Sequence, residues 1–546
     1  MKDTDVHSQS ASEIIAVRLA AAECKHAFGI PGGEVLALMD ALDRAGLNIT
    51  LVKHENSGGF MAEGTWHASL AAGVGAPGVL FATIGPGIAN AANAIANAWQ
   101  DRVPMIVLTG CVPAVEAQTY THQVFDHVAF LKPVTKAAIK VEPGTAAICI
   151  DKALKIAMSG RPGPVILDVP IDVQRERPET FHTSTHTPDA PMAPSGSALA
   201  EAQSWLAEAK RPIIVAGVDA MNHSAADAVV AFSQKFGTPV IAAYKAKGII
   251  PETDNLALGG AGLSPIADKI LLPLLQSSDC VILAGYDPIE MRIGWRDPFG
   301  SDQRVIDITA ETNTHYMHQA PLNFVGDVGA SLAAIGDGVS SQSAWPDGEI
   351  AAAKAALAAA FHIDEDWGPA GVINEARKAC PAGTVATVDS GAHRIVLSHV
   401  WECDHIGGLL QSTALCTMGC AVPLAVGRKL AEPDRPVIAF VGDAGLEMFL
   451  GELATIRDLK LGLPIVVFVD EQLGLIELKQ RGSQMANLGV EFSGTDFTAV
   501  AAAMGGYGAT VHDRAALNAA ISDSFDKDSF TLISAVIGRN AYDGRI

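Results

Sequence analysis

Residues 435–480 constrain the fold of this chain more than any other stretch. Residues 437–441 form a short apolar run rich in β-branched side chains, which is typical of a buried parallel strand. A Gly-Asp-Ala-Gly turn (442–445) follows. Residues 446–460 then show helical periodicity, and residues 465–469 predict a second buried strand. The pattern predicts a strand–helix–strand unit within a parallel α/β sheet.

Each strand of this unit ends in a carboxylate. Asp443 lies in the turn after the first strand, and Asp470 follows the second. Open α/β sheets bind ligands at the carboxyl ends of their strands. A helix beginning after Gly445 suits a phosphate, and two carboxylates beside a phosphate suit Mg²⁺. An ordinary structural unit with two solvated acids is the alternative interpretation.

Length and composition limit the class of protein. A chain of 546 residues predicts about three domains. The net charge of −22, with no Lys/Arg run, argues against nucleic-acid binding. The eight scattered cysteines include no CxxC pair and indicate reduced thiols. The polar start of the chain predicts no secretory signal, and no apolar run predicts a membrane span, so we expect a cytoplasmic protein without a membrane partner.

Strand and helix patterns alternate along the whole chain, which predicts an α/β fold with three doubly wound parallel-sheet domains. We place the domains at residues 1–175, 195–335 and 350–546. A linker rich in Pro, Thr and His (175–194) separates the first two, and a linker rich in Ser and Gly (336–348) separates the last two. The first and third domains are expected to use the same architecture twice.

The acidic unit resembles the diphosphate-binding motif of thiamine-diphosphate enzymes, in which GDG is followed by NN. The chain departs from that motif twice. Ala444 replaces the second glycine, and Val469-Asp470 takes the place of the two asparagines. The spacing of 27 residues (470 − 443) still matches the usual distance between the two metal ligands.

The resemblance extends over most of the chain. Five segments are similar to the acetolactate synthase and 2-oxo-acid decarboxylase group: FGIPGGEVLALMDAL, KHENSGGFMAEG, TIGPGIANAANAIANAWQDRVPMIVLTG, RPGPVILDVPIDV and CTMGCAVPLAVG. GYDPIE and GLIELKQ look most like catabolic acetolactate synthases, and DHVAFLKPVTK also resembles benzaldehyde lyase. The resemblance implies thiamine diphosphate, Mg²⁺, a small 2-oxo acid substrate, and a homodimer or homotetramer with its active site at the dimer interface.

Glu55, within KHENSGGFMAEG, matches the family's strand-end glutamate. By resemblance, its carboxyl group hydrogen-bonds the aminopyrimidine ring of the cofactor and favours the tautomer that takes the thiazolium C2 proton. Glu55 is therefore the first catalytic candidate. A first-turn acid that complements a helix dipole is the alternative.

The metal ligands implied by the resemblance are the side chains of Asp443 and Asp470 and the carbonyl group of Gln472. The resemblance also places a set of residues around the diphosphate, with His393 as the favoured contact: Gly442, Ala444, Gly445, Ser390, Gly391, Ala392 and His393.

Met418 and Cys416 lie in the segment CTMG. Met418 matches the large apolar residue that props the bent cofactor, and the Cys416 carbonyl would accept a hydrogen bond from the aminopyrimidine. A single Met is otherwise a common core filler.

Gln123 matches a glutamine that lines the substrate side of carboligases, and His122 replaces the usual Phe beside it. His122 is a catalytic candidate together with Gln123, because the ligation step moves protons and a histidine titrates near neutral pH. His127 offers the same chemistry. Structural roles for both histidines are equally compatible with the sequence.

The preferred reaction is that of an acetolactate synthase-like carboligase: decarboxylation of a 2-oxo acid such as pyruvate, then ligation to a second carbonyl compound. The alternatives are a 2-oxo-acid decarboxylase, a hydroxy-ketone lyase, and a non-catalytic cofactor-binding protein. The middle domain could hold FAD, with Arg292 available, but GYDPIE resembles the flavin-free branch, so we expect no flavin.

Overall fold

A computed structural model describes residues 9–178, 190–340 and 344–546. The start of the chain, most of the first predicted linker and residues 341–343 of the second lie outside this range. The described chain forms two compact units. One contains the first sheet and also residues 426–433, and the other contains the second and third sheets. No described helix is long and apolar enough to cross a membrane.

The first sheet is entirely parallel, with the strand order β2-β1-β3-β4-β6-β5. Its strands are β1 (His26–Ile30), β2 (Asn48–Leu51), β3 (Gly78–Ala82), β4 (Met105–Cys111), β5 (Ala137–Lys140) and β6 (Pro164–Pro170). Its helices are α1 (Ala11–Ala21), α2 (Leu36–Arg44), α3 (Glu55–Ala71), α4 (Pro86–Gln100), α5 (His127–Leu131), α6 (Ala146–Met158) and α7 (Ile171–Arg175).

Small residues allow α3 and α4 to pack closely. A Cβ atom on Gly59 of α3 would collide with the Ala94 side chain of α4. Helix α1 begins with a capping box in which Ser10 and Glu13 bond each other's backbone amides. The central strands β4 and β6 are buried along their full length, as a parallel sheet covered on both faces requires.

The second sheet is also parallel, with the order β12-β11-β10-β7-β8-β9. This is the order of doubly wound dinucleotide-binding sheets, in which the chain reverses direction between the first and fourth strands. The strands are β7 (Pro212–Ala216), β8 (Val240–Ala243), β9 (Ala257–Ala261), β10 (Cys280–Ala284), β11 (Arg304–Thr309) and β12 (Leu322–Val325). The helices are α8 (Ser197–Glu208), α9 (Val218–Asn222), α10 (Ala226–Phe236), α11 (Pro265–Ser277) and α12 (Val328–Gly336).

The third sheet repeats the order of the first. Its strands pair as β14-β13-β15-β16-β18-β17, all parallel. They are β13 (Val385–Val388), β14 (Leu409–Gln411), β15 (Val437–Gly442), β16 (Leu463–Val469), β17 (Tyr507–Val511) and β18 (Phe530–Val536). The helices are α13 (Glu349–Ala360), α14 (Pro369–Ala379), α15 (Ala392–Val400), α16 (Ala421–Ala431), α17 (Asp443–Glu447), α18 (Glu452–Asp458), α19 (Gly474–Gly482), α20 (Phe497–Ala503) and α21 (Arg514–Ser524).

The expected α/β fold is confirmed, and both strands predicted in residues 435–480 are present. The single helix predicted over 446–460 is wrong, because this stretch is divided between α17 and α18. Backbone bonds there run from Phe449 to Leu446 and from Glu452 to Phe449, which is the tighter i to i+3 pattern. The first helix also begins at Asp443 rather than after Gly445.

Candidate active site

Asp443 and Asp470 lie at the carboxyl ends of the adjacent strands β15 and β16. Asp443 is buried, and its carboxylate accepts hydrogen bonds from three backbone amides. Its Oδ1 accepts from Ala444 N at 2.8 Å, and its Oδ2 accepts from Glu471 N at 2.8 Å and from Asp470 N at 3.2 Å. The turn and the strand end are thereby held together, with two carboxylates side by side.

The electrostatics of this pair suit a cation. Asp470 is also buried, and burial together with the neighbouring Asp443 charge raises its pKa to about 8. Burial likewise raises the pKa of Asp443, against the lowering effect of its backbone hydrogen bonds. Two desolvated carboxylates are costly unless a positive charge offsets them. Within the described residues no cluster of three or more His, Cys, Asp or Glu side chains could hold a metal, so a cation at this pair would need other oxygen donors as well.

A cavity of about 130 Å³ opens beside the two carboxylates. Of the thirteen residues predicted to bind the cofactor, all except Glu55 and Cys416 line it: Ser390, Gly391, Ala392, His393, Met418, Gly442, Asp443, Ala444, Gly445, Asp470 and Gln472. The described residues that line the cavity include no Lys or Arg. A bound anion would therefore depend on a metal ion and on neutral hydrogen-bond donors.

Asp389 organises the wall of this cavity and was not predicted from the sequence. It is fully buried at the end of β13. Its carboxylate lies 2.8 Å from His393 Nε2, accepts from Gly419 N at 2.6 Å and accepts from Gly442 N at 3.2 Å. The His393 ring stacks on Phe468, with centroids 5.2 Å apart. Asp389 thus ties three segments of the wall together and fixes the orientation of His393.

The loop that carries Cys416 and Met418 is anchored from the second sheet's domain. Cys416 has a positive φ of 54°, and its sulfur lies 2.9 Å from Thr413 O and 3.1 Å from Glu290 Oε1, so its single S–H can donate to either acceptor. Glu290 also forms a buried ion pair with Arg394, whose guanidinium lies 3.4 Å from the Cys416 sulfur. These contacts position the backbone from which Met418 reaches the cavity.

Glu55 is the first residue of α3 and is only 4% exposed. One carboxyl oxygen, Oε2, accepts a hydrogen bond from Asn90 Nδ2 at 3.0 Å. The other, Oε1, would lie 3.2 Å from a Cβ atom on Gly87, so the absence of a side chain there leaves space beside it. A neutral amide therefore orients the carboxyl group, and Oε1 faces the space that Gly87 leaves.

The two histidines near Gln123 have different surroundings. His127 is buried, with Nδ1 3.0 Å from Asp168 Oδ1, and its Nε2 accepts a hydrogen bond from Gly85 N at 3.4 Å. Both ring nitrogens therefore have structural partners that hold the Gly85 turn. His122 and Gln123 are exposed in this subunit, and Gln123 has a positive φ of 60°.

The site residues that were not predicted from the sequence differ in how clearly a sequence pattern indicates them. Asp389 immediately precedes Ser390 at the end of a predictable strand, which is the signal that identified Asp443. Arg394 and Glu290 are far apart in sequence and carry no motif that pairs them. Tyr542 also lines the cavity, but a single Tyr in a polar segment gives no local indication of this.

Three family profiles match the chain. They are the N-terminal TPP binding domain of thiamine pyrophosphate enzymes at residues 9–130, their central domain at 199–335 and their C-terminal TPP binding domain at 389–535. Each profile matches part of the domain built on one of the three sheets; the first ends before β5 and β6, and the third begins just after β13. The two TPP-binding profiles contain Glu55 and the acidic pair respectively.

Relatives from several bacteria align over most of the chain. The large subunit of acetolactate synthase isozyme 1 from Escherichia coli is 30% identical over 83% of this chain and 80% of its own length. The acetolactate synthase large subunit of Parasynechococcus marenigrum is 28% identical over 94% of this chain and 86% of its own. The acetolactate synthase of Bacillus subtilis is 27% identical over 92% and 88%.

Proposed function

This chain belongs to the thiamine pyrophosphate enzymes of the acetolactate synthase group, and on that premise we propose that it decarboxylates a pyruvate-like 2-oxo acid and ligates the product to a second carbonyl compound. One observation carries the proposal. Nearly all residues predicted to bind the cofactor line a single cavity, beside two buried carboxylates separated by 27 residues (470 − 443). A relic without a cofactor would have no reason to retain this costly pair.

The residues present fit thiamine diphosphate and Mg²⁺. The side chains of Asp443 and Asp470 and the Gln472 carbonyl would hold the metal, because hard cations prefer oxygen ligands. Gly445 would offer its backbone amide to the diphosphate, and Ala444, whose amide already donates to Asp443 Oδ1, would line the cavity beside it. When bound, the cofactor supplies the nucleophilic carbon and the electron sink for the reaction.

Glu55 is assigned the proton-transfer role. Asn90 fixes its carboxyl group through Oε2, and Oε1 remains to hold a proton at a ring nitrogen of the aminopyrimidine. Since Asn90 is neutral, it orients the carboxyl group without fixing its charge. This arrangement supports a residue that gains and loses a proton during turnover.

Gln123 is assigned to the acceptor side, with His122 beside it. Both side chains are exposed in the single subunit, so a second subunit can cover them. His127 is assigned a positioning role, because its ring nitrogens hold Gly85 and Asp168.

We further propose a homodimer or homotetramer in which Glu55 of one subunit serves the acidic pair of another. Mixing two inactive variants, Glu55→Gln and Asp443→Asn, tests this arrangement. Random reassociation should leave about one quarter of the sites intact and restore activity to that extent. Mixtures that stay inactive although the subunits exchange would contradict the shared site.

The central domain supports a flavin-free enzyme. At the point where its strand order reverses, a Cβ atom on Gly217 would lie 2.5 Å from Gly285 O and 2.6 Å from Tyr286 Cα. The backbones after β7 and β10 therefore pack directly against each other where a dinucleotide would bind. Arg292 is paired with Asp268 at 3.2 Å. A flavin absorption spectrum in the purified protein would overturn this assignment.

The decisive experiment supplies pyruvate, 2-oxobutyrate, glyoxylate or benzaldehyde with thiamine diphosphate and Mg²⁺, and measures both CO₂ release and the organic product. We expect CO₂ together with a ligated hydroxy-keto product. CO₂ with a free aldehyde would favour a simple decarboxylase, and cleavage of an added hydroxy-ketone would favour a lyase. Cofactor binding without any turnover would favour a non-catalytic binding protein.

A further inference from the structure

The segment that follows the last strand reaches the cofactor cavity. Residues 537–546, here called the strap, come directly after β18, which ends at Val536. The C-terminal TPP-binding profile ends at residue 535, so the strap lies outside the region that the family profile describes. Tyr542 of the strap nevertheless lines the cavity together with Asp443 and Asp470.

Ion pairs fasten the strap on both sides of Tyr542. They join Arg539 to Glu491, Asp543 to Arg481, and Arg545 to Glu365. The Asp543–Arg481 pair has two contacts, one of which is 2.8 Å between Arg481 Nη1 and Asp543 Oδ2. Arg481 belongs to α19, which begins two residues after Gln472. The strap is therefore attached to the helix that continues from the proposed metal-binding loop.

The ring of Tyr542 is packed against the metal-binding side of the cavity. It is 3% exposed. A Cβ atom on Gly474 would lie 3.2 Å from Tyr542 Cδ2 and 2.7 Å from Asp470 Oδ2, so the ring and the carboxylate meet at the same glycine. Burial raises the pKa of Tyr542, and the charges of Asp470, Asp443 and Asp389 raise it further. A tyrosine hydroxyl group is protonated at neutral pH in any case and is a hydrogen-bond donor.

That donor has no acceptor within the described part of the chain. Although the residue as a whole is buried, its hydroxyl oxygen is not among the fully buried atoms that lack a partner, so it remains accessible to a ligand. The hydroxyl is instead part of a cavity wall whose described residues include no Lys or Arg. A neutral donor facing such a cavity suits an anionic ligand held next to a metal ion.

We propose that Tyr542 donates a hydrogen bond to the diphosphate of the cofactor and that the strap holds it in this position. The inference rests on the proposed function, because it assigns the cavity to thiamine diphosphate. It adds a ligand from outside the motif that identifies the family. Tyr542 would partly take the role that a cationic side chain plays at other diphosphate sites.

Calorimetric titration of the cofactor-free protein with thiamine diphosphate at saturating Mg²⁺ tests the proposal. Tyr542→Phe removes the hydroxyl group and keeps the ring. We expect its Kd to rise about tenfold, the effect of losing one hydrogen bond to a charged group. Its thermal midpoint without cofactor should equal that of the parent. Tyr507→Phe is the matched control, because the exposed Tyr507 hydroxyl donates to Asp528 at 3.1 Å and should not affect binding.

Two further measurements separate the possible outcomes. Inorganic diphosphate with Mg²⁺ should lose affinity for Tyr542→Phe by a similar factor. Asp543→Asn, which loosens the strap but keeps the hydroxyl, should weaken cofactor binding about two- to threefold, as expected for a half-exposed ion pair. If the parent protein binds the cofactor and Tyr542→Phe binds it equally well, this inference alone is overturned. A parent that binds no thiamine diphosphate overturns the proposed function as well.

Discussion

The first and third sheets have the same strand order, but their carboxyl edges carry different chemistry. In the third sheet, strands β13, β15 and β16 are each followed or ended by a carboxylate, namely Asp389, Asp443 and Asp470. In the first sheet, the corresponding strands β1, β3 and β4 are followed by Pro, Thr and Val residues, and the acid, Glu55, follows β2 instead. The topology of the sheet determines where the binding edge lies. The side chains at the strand ends determine which ligand can bind there.

The partners of these acids differ in the same way. Glu55 is oriented by the neutral side chain of Asn90. Asp443 is held by three backbone amides and Asp389 by two amides and His393. The first edge thus presents the Glu55 carboxyl group with one neutral side-chain partner, whereas the second presents buried carboxyl groups held mainly by backbone amides. A proton-transfer role suits the former, and a metal with a diphosphate suits the latter.

The largest expected effect comes from Glu55→Gln. The substitution keeps the shape and removes the proton relay, so turnover should fall by about 10²–10⁴-fold while cofactor binding is largely retained. Hydrogen–deuterium exchange at C2 of bound cofactor measures the step directly. Glu34→Gln is the matched control, because Glu34 lies at the same sheet edge and accepts from Thr83 Oγ1 at 2.8 Å. Equal exchange rates in parent and Glu55→Gln would contradict the assigned role.

The second prediction compares two glycines in the first turns of the helices that follow β3 and β15. A Cβ atom on Gly445 would collide with Asp389 Oδ2, whereas one on Gly87 would lie 2.9 Å from Thr83 Cγ2 and 3.2 Å from Glu55 Oε1. Gly445→Ala should therefore cost roughly 2–3 kcal/mol of stability and weaken cofactor binding about 100-fold. Gly87→Ala should cost about 1 kcal/mol and reduce turnover more than binding.

Gly482→Ala serves as the control for both glycine variants. No atom lies within 4 Å of the Cβ position on Gly482 at the end of α19, so alanine should be neutral or stabilising by about 0.5–1 kcal/mol. Denaturant unfolding and cofactor titration measure the three variants. If Gly445→Ala were as harmless as Gly482→Ala, the close approach of the turn to Asp389 would not matter for binding.

The third prediction concerns the charge of the acidic edge. Asp470 adds a negative charge where relatives of the motif have a neutral Asn, so it should favour Mg²⁺ and disfavour the diphosphate by about 1–4 kcal/mol before compensation. Asp470→Asn should weaken Mg²⁺ binding about tenfold. Thiamine diphosphate should bind as well or better at saturating Mg²⁺. Calorimetric titration of both ligands measures the two effects.

Glu471→Gln is the control for this charge, since it removes one negative charge from the adjacent, half-exposed side chain without removing a proposed ligand. It should alter Mg²⁺ affinity much less than Asp470→Asn. If Asp470→Asn left both affinities unchanged, Asp470 would not be a metal ligand and the matched spacing of 27 residues (470 − 443) would have no functional meaning.

Sequence patterns predicted the parts of the molecule that depend on local periodicity and short motifs. Buried strands such as β15 and β16 are continuous apolar runs, and their ends mark the binding edge. The exposed edge strand β17 and the short β5 lack such a run, so they were not identified. The break between α17 and α18 depends on tighter hydrogen bonding that hydrophobic periodicity does not reveal.

Residues that act through distant contacts could not be predicted. Glu290 and Arg394 are 104 residues apart, and only the folded chain brings them to Cys416. Tyr542 reaches the cavity because ion pairs direct the strap, and those pairs join segments far apart in sequence. A sequence motif includes ligands that lie at the ends of neighbouring strands. The residues that support those ligands come from distant segments and are brought to the site only by the folded chain.

The smallest expected effect tests whether the edge of the first sheet also contacts the acceptor substrate. Gln123 is exposed, and its backbone packs on the turn at Gly85, where a Cβ atom would lie 2.7 Å from Gln123 O. Gln123→Ala removes the amide but keeps this backbone contact and the positive φ, so stability should change by less than about 0.5 kcal/mol. If the amide binds the acceptor, ligation should slow about tenfold, the effect of one lost hydrogen bond, while decarboxylation changes less.

Product analysis at saturating 2-oxo acid separates the two steps. Gln118→Ala, which changes an exposed residue in the same loop, is the control. Equal losses in both steps would mean that Gln123 only shapes the pocket, and the first edge would then contribute proton transfer alone.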